Sequence, residues 1–256
     1  MQSLKDSVAL ITGASSGIGR SCAVKFAEAG ARLILTARRK DRLDALALEL
    51  KKSTEVLTLQ LDVSDHQAVG KVLGNLPKEW QAVTVLVNNA GLSRGLDKLH
   101  EGKIDDWEEM IDTNVKGLLY VSRAIIPGMV TRGKGTIINI GSIAGHEVYP
   151  RGNVYSATKH AVDALTKGLR MDLMDTPLRV CTVDPGLVET EFSMVRFRGD
   201  AEKAKVVYQN LEPLRPDDIA EAVVFCATRP PHVQIAEMIV LPTAQASTTM
   251  VHRKTS

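Results

Sequence analysis

An α/β fold is what this chain predicts: one doubly wound parallel sheet of about seven strands with helices on both faces. Three observations carry that expectation. Strand-like and helix-like stretches alternate from end to end, the pattern of strand–helix–strand units. The strand stretches are apolar throughout rather than alternating, as strands buried on both faces must be. The first of them runs into a Gly-rich turn, Gly13-Ala14-Ser15-Ser16-Gly17-Ile18-Gly19, that opens onto a helix.

The elements follow in order. Val8 to Thr12 reads as a buried strand, and Gly17 to Ala29 as a helix stopped by Gly30. Arg32 to Ala37 is a second strand, followed by a charged helix to about Lys52. Val56 to Leu61 is a third strand ended by Asp62, then Asp65 to Leu76 a helix and Val83 to Asn88 a fourth strand. A long helix spans about Asp105 to Arg132, with Pro127 expected to kink or break it. Thr136 to Ile140 is a fifth strand. Asn153 to Met174 has helical periodicity, with Val154, Ala157, Ala161, Ala164, Leu165, Leu169 and Leu173 as its apolar positions. Arg179 to Val183 is a sixth strand ended by Asp184-Pro185-Gly186, Pro216 to Thr228 a helix, and Met238 to Leu241 a last short strand. The one long irregular stretch, about 187–210, is expected to be a substrate lid, since loops of that length are functional or disordered. The stretch of about 243–256 reads as a C-terminal tail. With no linker, repeat or low-complexity block, residues 1–256 form a single domain.

Composition narrows the function classes. The chain has 256 residues, 44% of them apolar, enough for one α/β domain with a substantial core. A net charge of +2 with Lys and Arg scattered gives no reason to expect a nucleic-acid partner. The opening residues precede only a short apolar run, so no signal peptide is expected. No stretch approaches the roughly 18 apolar residues of a membrane span. Cys22, Cys181 and Cys226 sit at apolar positions, which suits buried, reduced thiols and a cytoplasmic location. The six histidines show no metal-ligand spacing, so no metal is expected.

The Gly-rich turn has the context of a dinucleotide cradle. Its glycines let backbone approach a pyrophosphate, and the helix N-terminus supplies N–H groups and a positive dipole. The spacing is G-x-x-x-G-x-G rather than G-x-G-x-x-G. The second strand ends without the carboxylate that often binds the ribose of NAD. Arg38 stands there instead, able to pair with a 2′-phosphate with help from Ser15 or Arg39, which favours NADP. Charge-assisted bonds contribute about 1.5–3 kcal/mol each. The alternative is a solvated helix start from Arg38 to Arg42. Asp62 and Val63 after the third strand, and Asn89, Ala90 and Gly91 after the fourth, stand at carboxyl ends of strands. They trace the ligand crevice of an open α/β sheet.

Tyr155-Ser-Ala-Thr-Lys159, with Ser142 upstream, reads as proton-transfer chemistry. Residues four apart on a helix share a face. A phenol with a pKa of about 10 is a poor base near neutral pH, and a nearby ammonium favours its phenolate. Ser142 can hold a substrate oxygen while Tyr155 passes the proton.

These residues together resemble the short-chain dehydrogenase/reductase family over essentially the whole chain. The resemblance rests on TGASSGIG, NNAG, Asn114 in DTNVKG, Ser142 in INIGS, YSATK and DPG, in that order. It implies a single Rossmann domain and a tetrad of Asn114, Ser142, Tyr155 and Lys159. Tyr155 would be the acid/base and Ser142 would orient the substrate oxygen. Lys159 would bind the nicotinamide ribose and lower the tyrosine pKa, and Asn114 would hold a water leading from Lys159 to solvent. Pro185, Gly186 and Val188 would lie beside the nicotinamide and Thr190 would bond its carboxamide. A homotetramer is also implied.

The stretches Asp106 to Asn114, Pro185 to Ser193 and Val195 to Asp200 look like those of NADP-dependent 3-hydroxy acid dehydrogenases, which act on serine, allo-threonine and similar acids. A carboxylate substrate needs a cationic anchor; Arg151, Arg196 and Arg198 are the candidates, with Arg94 behind them. Two other enzyme activities share the tetrad: reduction of 3-oxoacyl groups on a carrier, and general carbonyl reduction. A non-catalytic NADPH-sensing protein is the reading from another class. His146, close after Ser142, is a loop residue or a pocket-lining one.

Overall fold

The structure is a computed structural model that describes residues 3–254. Seven parallel strands form one sheet in the order β3-β2-β1-β4-β5-β6-β7. They are β1 (Val8–Thr12), β2 (Arg32–Ala37), β3 (Val56–Gln60), β4 (Val83–Asn88), β5 (Thr136–Ile140), β6 (Arg179–Pro185) and β7 (Glu237–Val240). The chain moves outward from β1 to β3, then returns to pair β4 with the other edge of β1. That reversal opens a crevice beyond the carboxyl ends of β1 and β4, where open α/β sheets bind ligands.

Side chains alternate across each strand, and the two faces collect separate cores. Ala9, Ile11, Leu33 and Leu35 face α1 (Gly17–Glu28), α2 (Lys40–Leu50) and α9 (Pro216–Ala227), meeting Phe26, Leu43 and Ile219. Val8, Leu10 and Ile34 face α3 (His66–Gly74) and α5 (Leu118–Arg132), meeting Val69, Leu73, Val121 and Met129. Burial on both faces explains why β1, β2, β4 and β5 are mostly apolar on both sides, whereas the outer strands β3 and β7 carry polar and half-exposed positions. The helix ends have local causes. The Asp65 carboxylate caps α3 by accepting from the N–H groups of Gln67 and Ala68. Gly133, at φ 62°, closes α5 in the left-handed conformation.

Three regions depart from the expectation. The helix expected from Asp105 to Arg132 is α4 (Ile104–Ile111), a π-helical stretch Asp112–Gly117, and then α5. Pro127 lies inside α5 without ending it; the departure from α geometry comes earlier, where Asn114 sits. The stretch 187–210 is not irregular throughout. It holds two short helices, α7 (Phe192–Arg196) and α8 (Ala201–Val207), and is tied down by a bridge between Val188 and Leu214. The segment after Pro242 is not a free tail as far as Lys254. It turns back through the Gln245–Val251 bridge, and the N–H of Lys254 donates to the carbonyl of Asn210 at 2.8 Å. The remaining long helix, α6 (Asn153–Asp172), lies close to its expected span. Among the described residues, no helix is long and apolar enough to cross a membrane.

Candidate active site

A cleft of about 440 Å³ runs along the crevice from the Gly-rich turn to Tyr155. That size suits a small-molecule site. At one end Gly13 has φ +66°, and a Cβ there would lie 2.9 Å from Asn89 Nδ2 and 3.0 Å from Ala90 Cα. Only glycine lets β1 turn this close to β4. Asn89 Nδ2 donates to the carbonyl of Thr12 at 2.8 Å, and Thr12 Oγ1 accepts from the N–H groups of Asn89 and Ala90. The turn therefore delivers the N-terminus of α1 to the cleft. No side chain caps that end, so its N–H groups remain available to an anion.

Gly13, Ser15, Ser16, Gly17, Ile18, Arg38, Arg39, Asp62, Val63, Asn89, Ala90 and Gly91 all line the cleft. Gly19 does not. It is buried against the Gly13 carbonyl and Asn89, and its place is to let α1 pack closely on the turn. Of the two arginines, Arg39 is the more engaged. Its guanidinium donates to Ser15 Oγ at 3.1 Å and Ser16 Oγ at 2.7 Å, while Arg38 reaches only Asp62 at 3.9 Å. Asp62 Oδ1 accepts from both the N–H and hydroxyl of Ser64.

At the other end, Ser142, Tyr155 and Lys159 line the cleft together with Pro185, Gly186, Val188 and Thr190. Ser142 Oγ accepts from the N–H of Ala144, fixing its side chain at the end of β5. Asn114 stands behind the cleft wall rather than in it. Its Oδ1 accepts from Leu92 N–H and its Nδ2 donates to Leu92 O and Thr158 Oγ1. A Cβ on Gly91 would lie 3.2 Å from Asn114 Oδ1 and 3.8 Å from Lys159 Nζ. Glycine there keeps the approach to both groups open.

The electrostatics differ from the sequence expectation. Burial pushes the Tyr155 hydroxyl up to about 12, partly offset by the Arg196 charge and by Ser142 beside it. Burial lowers Lys159 to about 8, against a raising contribution from Asp184. Its Nζ donates to the carbonyl of Ile140 at 2.8 Å and stands 5.9 Å from the Tyr155 ring centroid. Desolvation thus dominates at Tyr155, and the charge that lowers its hydroxyl comes from Arg196.

The candidate anchors separate cleanly. Arg196 lines the cleft. Its guanidinium lies 5.4 Å from the Tyr155 ring centroid and donates to Ser93 Oγ and Tyr149 Oη, both at 3.1 Å. Arg198 and Arg151, the other two expected anchors, do not line the cleft. Arg198 is paired with Asp106, and Arg151 is exposed at a positive φ of 67°. Arg94 is clasped by both oxygens of Glu109 at 2.7 Å.

Several residues were not legible as site residues. Tyr149, Phe192, Tyr208, Glu191, Gln245 and Thr248 also line the cleft. They come from loops and from short helices that leave no periodic signal. His146 faces away from the cleft, with Nε2 3.3 Å from the buried Asp184 and Nδ1 3.5 Å from Glu237. These three side chains bring potential metal-ligand atoms within 4.8 Å of one another. Their separation along the chain hid the grouping.

A nucleotide cradle at one end of a switch-point crevice and a buried Tyr–Lys–Ser set at the other define a dinucleotide-dependent oxidoreductase. Comparison with known proteins agrees. The family described as short chain dehydrogenase matches residues 7–201, and the chain belongs to it. It is 49% identical over 257 residues to an NADP-dependent 3-hydroxy acid dehydrogenase of Schizosaccharomyces pombe, covering 99% of each chain. It is 49% identical over 248 residues to one of Salmonella typhi, covering 96% of this chain and 99% of the other. Among solved structures, the closed form of a serine dehydrogenase complexed with NADP+ superposes with a TM-score of 0.92 at 46% identity, covering 96% of this chain and all of that one (100%).

Proposed function

We propose that this enzyme interconverts small 3-hydroxy acids, of the serine, allo-threonine and 3-hydroxypropionate type, and their 3-oxo compounds with NADP(H). The observation that carries the substrate class is Arg196. Its guanidinium faces the Tyr155 ring and its side-chain partners are neutral hydroxyls, whereas Arg94 and Arg198 are paired with carboxylates. A cation so placed suits a carboxylate one carbon removed from the reacting carbinol, held through parallel hydrogen bonds. The cofactor assignment is supported by the NADP-dependent relatives and by Arg38 and Arg39 at the end of β2.

The chemistry supplied by the bound nicotinamide is hydride transfer to and from the carbinol carbon. The protein's own groups handle the proton. With its hydroxyl at about 12, Tyr155 holds its proton at neutral pH and is suited to give it to a substrate oxygen positioned by Ser142. In oxidation it takes that proton back, and the Arg196 charge and Ser142 favour the phenolate meanwhile. Lys159, reached past Gly91, binds ribose hydroxyls and brings a cation toward Tyr155. Asn114 presents Oδ1 toward the same space, where it can hold a water leading outward.

The test is NADP+ reduction with serine, 3-hydroxypropionate, 3-hydroxybutyrate and neutral secondary alcohols, repeated with NAD+. The 3-hydroxy acids should turn over best, and with NADP+. Arg196→Ala should raise KM for the acids by about 10-fold or more, as loss of a charge-assisted bond requires, and leave neutral alcohols nearly unchanged. Equal effects on both substrate classes would remove Arg196 from the anchor role.

A further inference from the structure

We propose that Glu191 is a positioning residue that couples occupation of the 2′-phosphate site to the placement of the substrate lid. The proposal rests on the cofactor reading above, in which Arg39 lies at the 2′-phosphate end of the cleft.

The geometry joins two ends of the cleft through one helical turn. Glu191 directly precedes α7 and receives hydrogen bonds from two arginines of the β2–α2 region, far away in sequence. Arg39 Nη1 donates to Oε2 at 2.9 Å, and Arg42 Nη1 donates to Oε1 and Oε2 at 2.7 and 2.9 Å. Those bonds hold the Glu191 carboxyl below its ordinary pKa, so it is an anion at neutral pH. On its other side α7 carries Phe192, whose ring lies 5.6 Å from that of Tyr155, and Arg196, whose guanidinium lies 5.4 Å from the Tyr155 ring centroid. Thr190, just before Glu191, sits against the Gly-rich turn, 3.3 Å from where a Gly17 Cβ would stand. The start of the lid thus rests on the cradle, and its ion pairs reach the cofactor's phosphate end.

Arg39 has donors for both partners at once. A guanidinium offers five N–H groups in a planar fork. One edge meets Glu191, while Nε and Nη2 point at the hydroxyls of Ser15 and Ser16. A phosphate entering beside Ser15 can take the second edge without displacing the carboxylate. Arg39, now fixed between two anions, then holds Glu191 and the N-terminus of α7 in one place. The half-exposed pairs are weak on their own, with side chains 40–44% exposed. The phosphate is what makes the arrangement decisive. A ligand without it leaves the lid free to lift.

The test uses fragments, so that it does not depend on turnover. Hydrogen exchange of the peptide spanning 188–198 is compared with saturating 2′,5′-ADP and saturating ADP, saturation being set by calorimetry. In the wild-type protein 2′,5′-ADP should slow exchange there by about fivefold or more over ADP, the low end of typical coupling between sites. In Glu191→Gln, 2′,5′-ADP should still bind but the extra protection of α7 should vanish. Undiminished protection in Glu191→Gln, or none in the wild type despite tighter binding of 2′,5′-ADP, overturns the coupling and leaves the cofactor reading standing. If 2′,5′-ADP binds no more tightly than ADP, the cofactor reading fails at Arg39 and the coupling fails with it. Arg42→Ala serves as a second variant. It should weaken the protection and leave the Ser15 and Ser16 contacts of Arg39 in place.

Discussion

Lys159 shows how much a single buried group decides. Its side chain is surrounded by the walls of α6, β5 and the Gly91 loop, and burial lowers it from 10.5 to about 8. The folded protein therefore binds this proton less tightly than the unfolded chain does. Between pH 8 and 10.5 unfolding takes up a proton, so this group makes stability rise with pH across that window. The contribution is complete above 10.5 and is lost as pH falls through 8. In Lys159→Met, which keeps the length and removes the titration, that rise should be absent. The difference in unfolding free energy between the two proteins should change by about 3 kcal/mol between pH 7.5 and pH 10.5. Urea unfolding of both proteins at each pH checks it; parallel curves would mean that Lys159 is solvated in the fold. Tyr155 moves the opposite way for the same physical reason, because desolvation penalises whichever form is charged.

At the scale of elements, the π-helical stretch Asp112–Gly117 does the positioning. It lets the chain widen between α4 and α5 so that Asn114 reaches Leu92 and Thr158. Such bulges are frequent at functional sites. Gly117 ends the stretch against Val63, a residue of the cleft wall. A Cβ on Gly117 would lie 2.7 Å from Val63 Cγ2 and 3.2 Å from its carbonyl oxygen. Gly117→Ala should gain about 0.5–1 kcal/mol from backbone preference and lose about 1–3 kcal/mol from overpacking. A net loss of up to about 2.5 kcal/mol in urea unfolding is expected, with weaker cofactor binding as Val63 shifts; a more stable variant would show that the contact relaxes freely. Little in the sequence announces this stretch, because an apolar pattern of helical period runs through it into α5. The strands were legible nearly to the residue, since apolar runs bounded by Gly, Asp and Pro define them. The helices α7 and α8 were not, being too short to establish a period.

Over the whole molecule, the choice among arginines and the role of the last residues both depend on contacts between distant parts of the chain. Spacing places Arg196 and Arg198 side by side, yet Asp106 takes one and Ser93 with Tyr149 holds the other. No local pattern encodes that division. The segment after Pro242 behaves likewise. Gln245 is 6% exposed and its Oε1 accepts from Leu187 N–H at 2.8 Å, just beyond Pro185 and Gly186. Thr248 donates through its N–H and hydroxyl to Glu147 Oε2, and Arg253 donates to the carbonyls of Val207 and Gln209 at the end of α8. The segment thus clamps both the cleft wall and the stretch that carries α7 and α8. Gln245→Met keeps the side-chain volume and removes the acceptor, leaving Leu187 N–H unpaired at a cost of about 1–3 kcal/mol. For a chain of this size that lowers Tm by about 2–10 °C. Because Leu187 follows the residues expected beside the nicotinamide, NADPH affinity should fall as well, whereas binding of 2′,5′-ADP, which reaches only the far end of the cleft, should not. Equal loss for both ligands in calorimetry would mean that the clamp supports the whole cleft rather than its nicotinamide end.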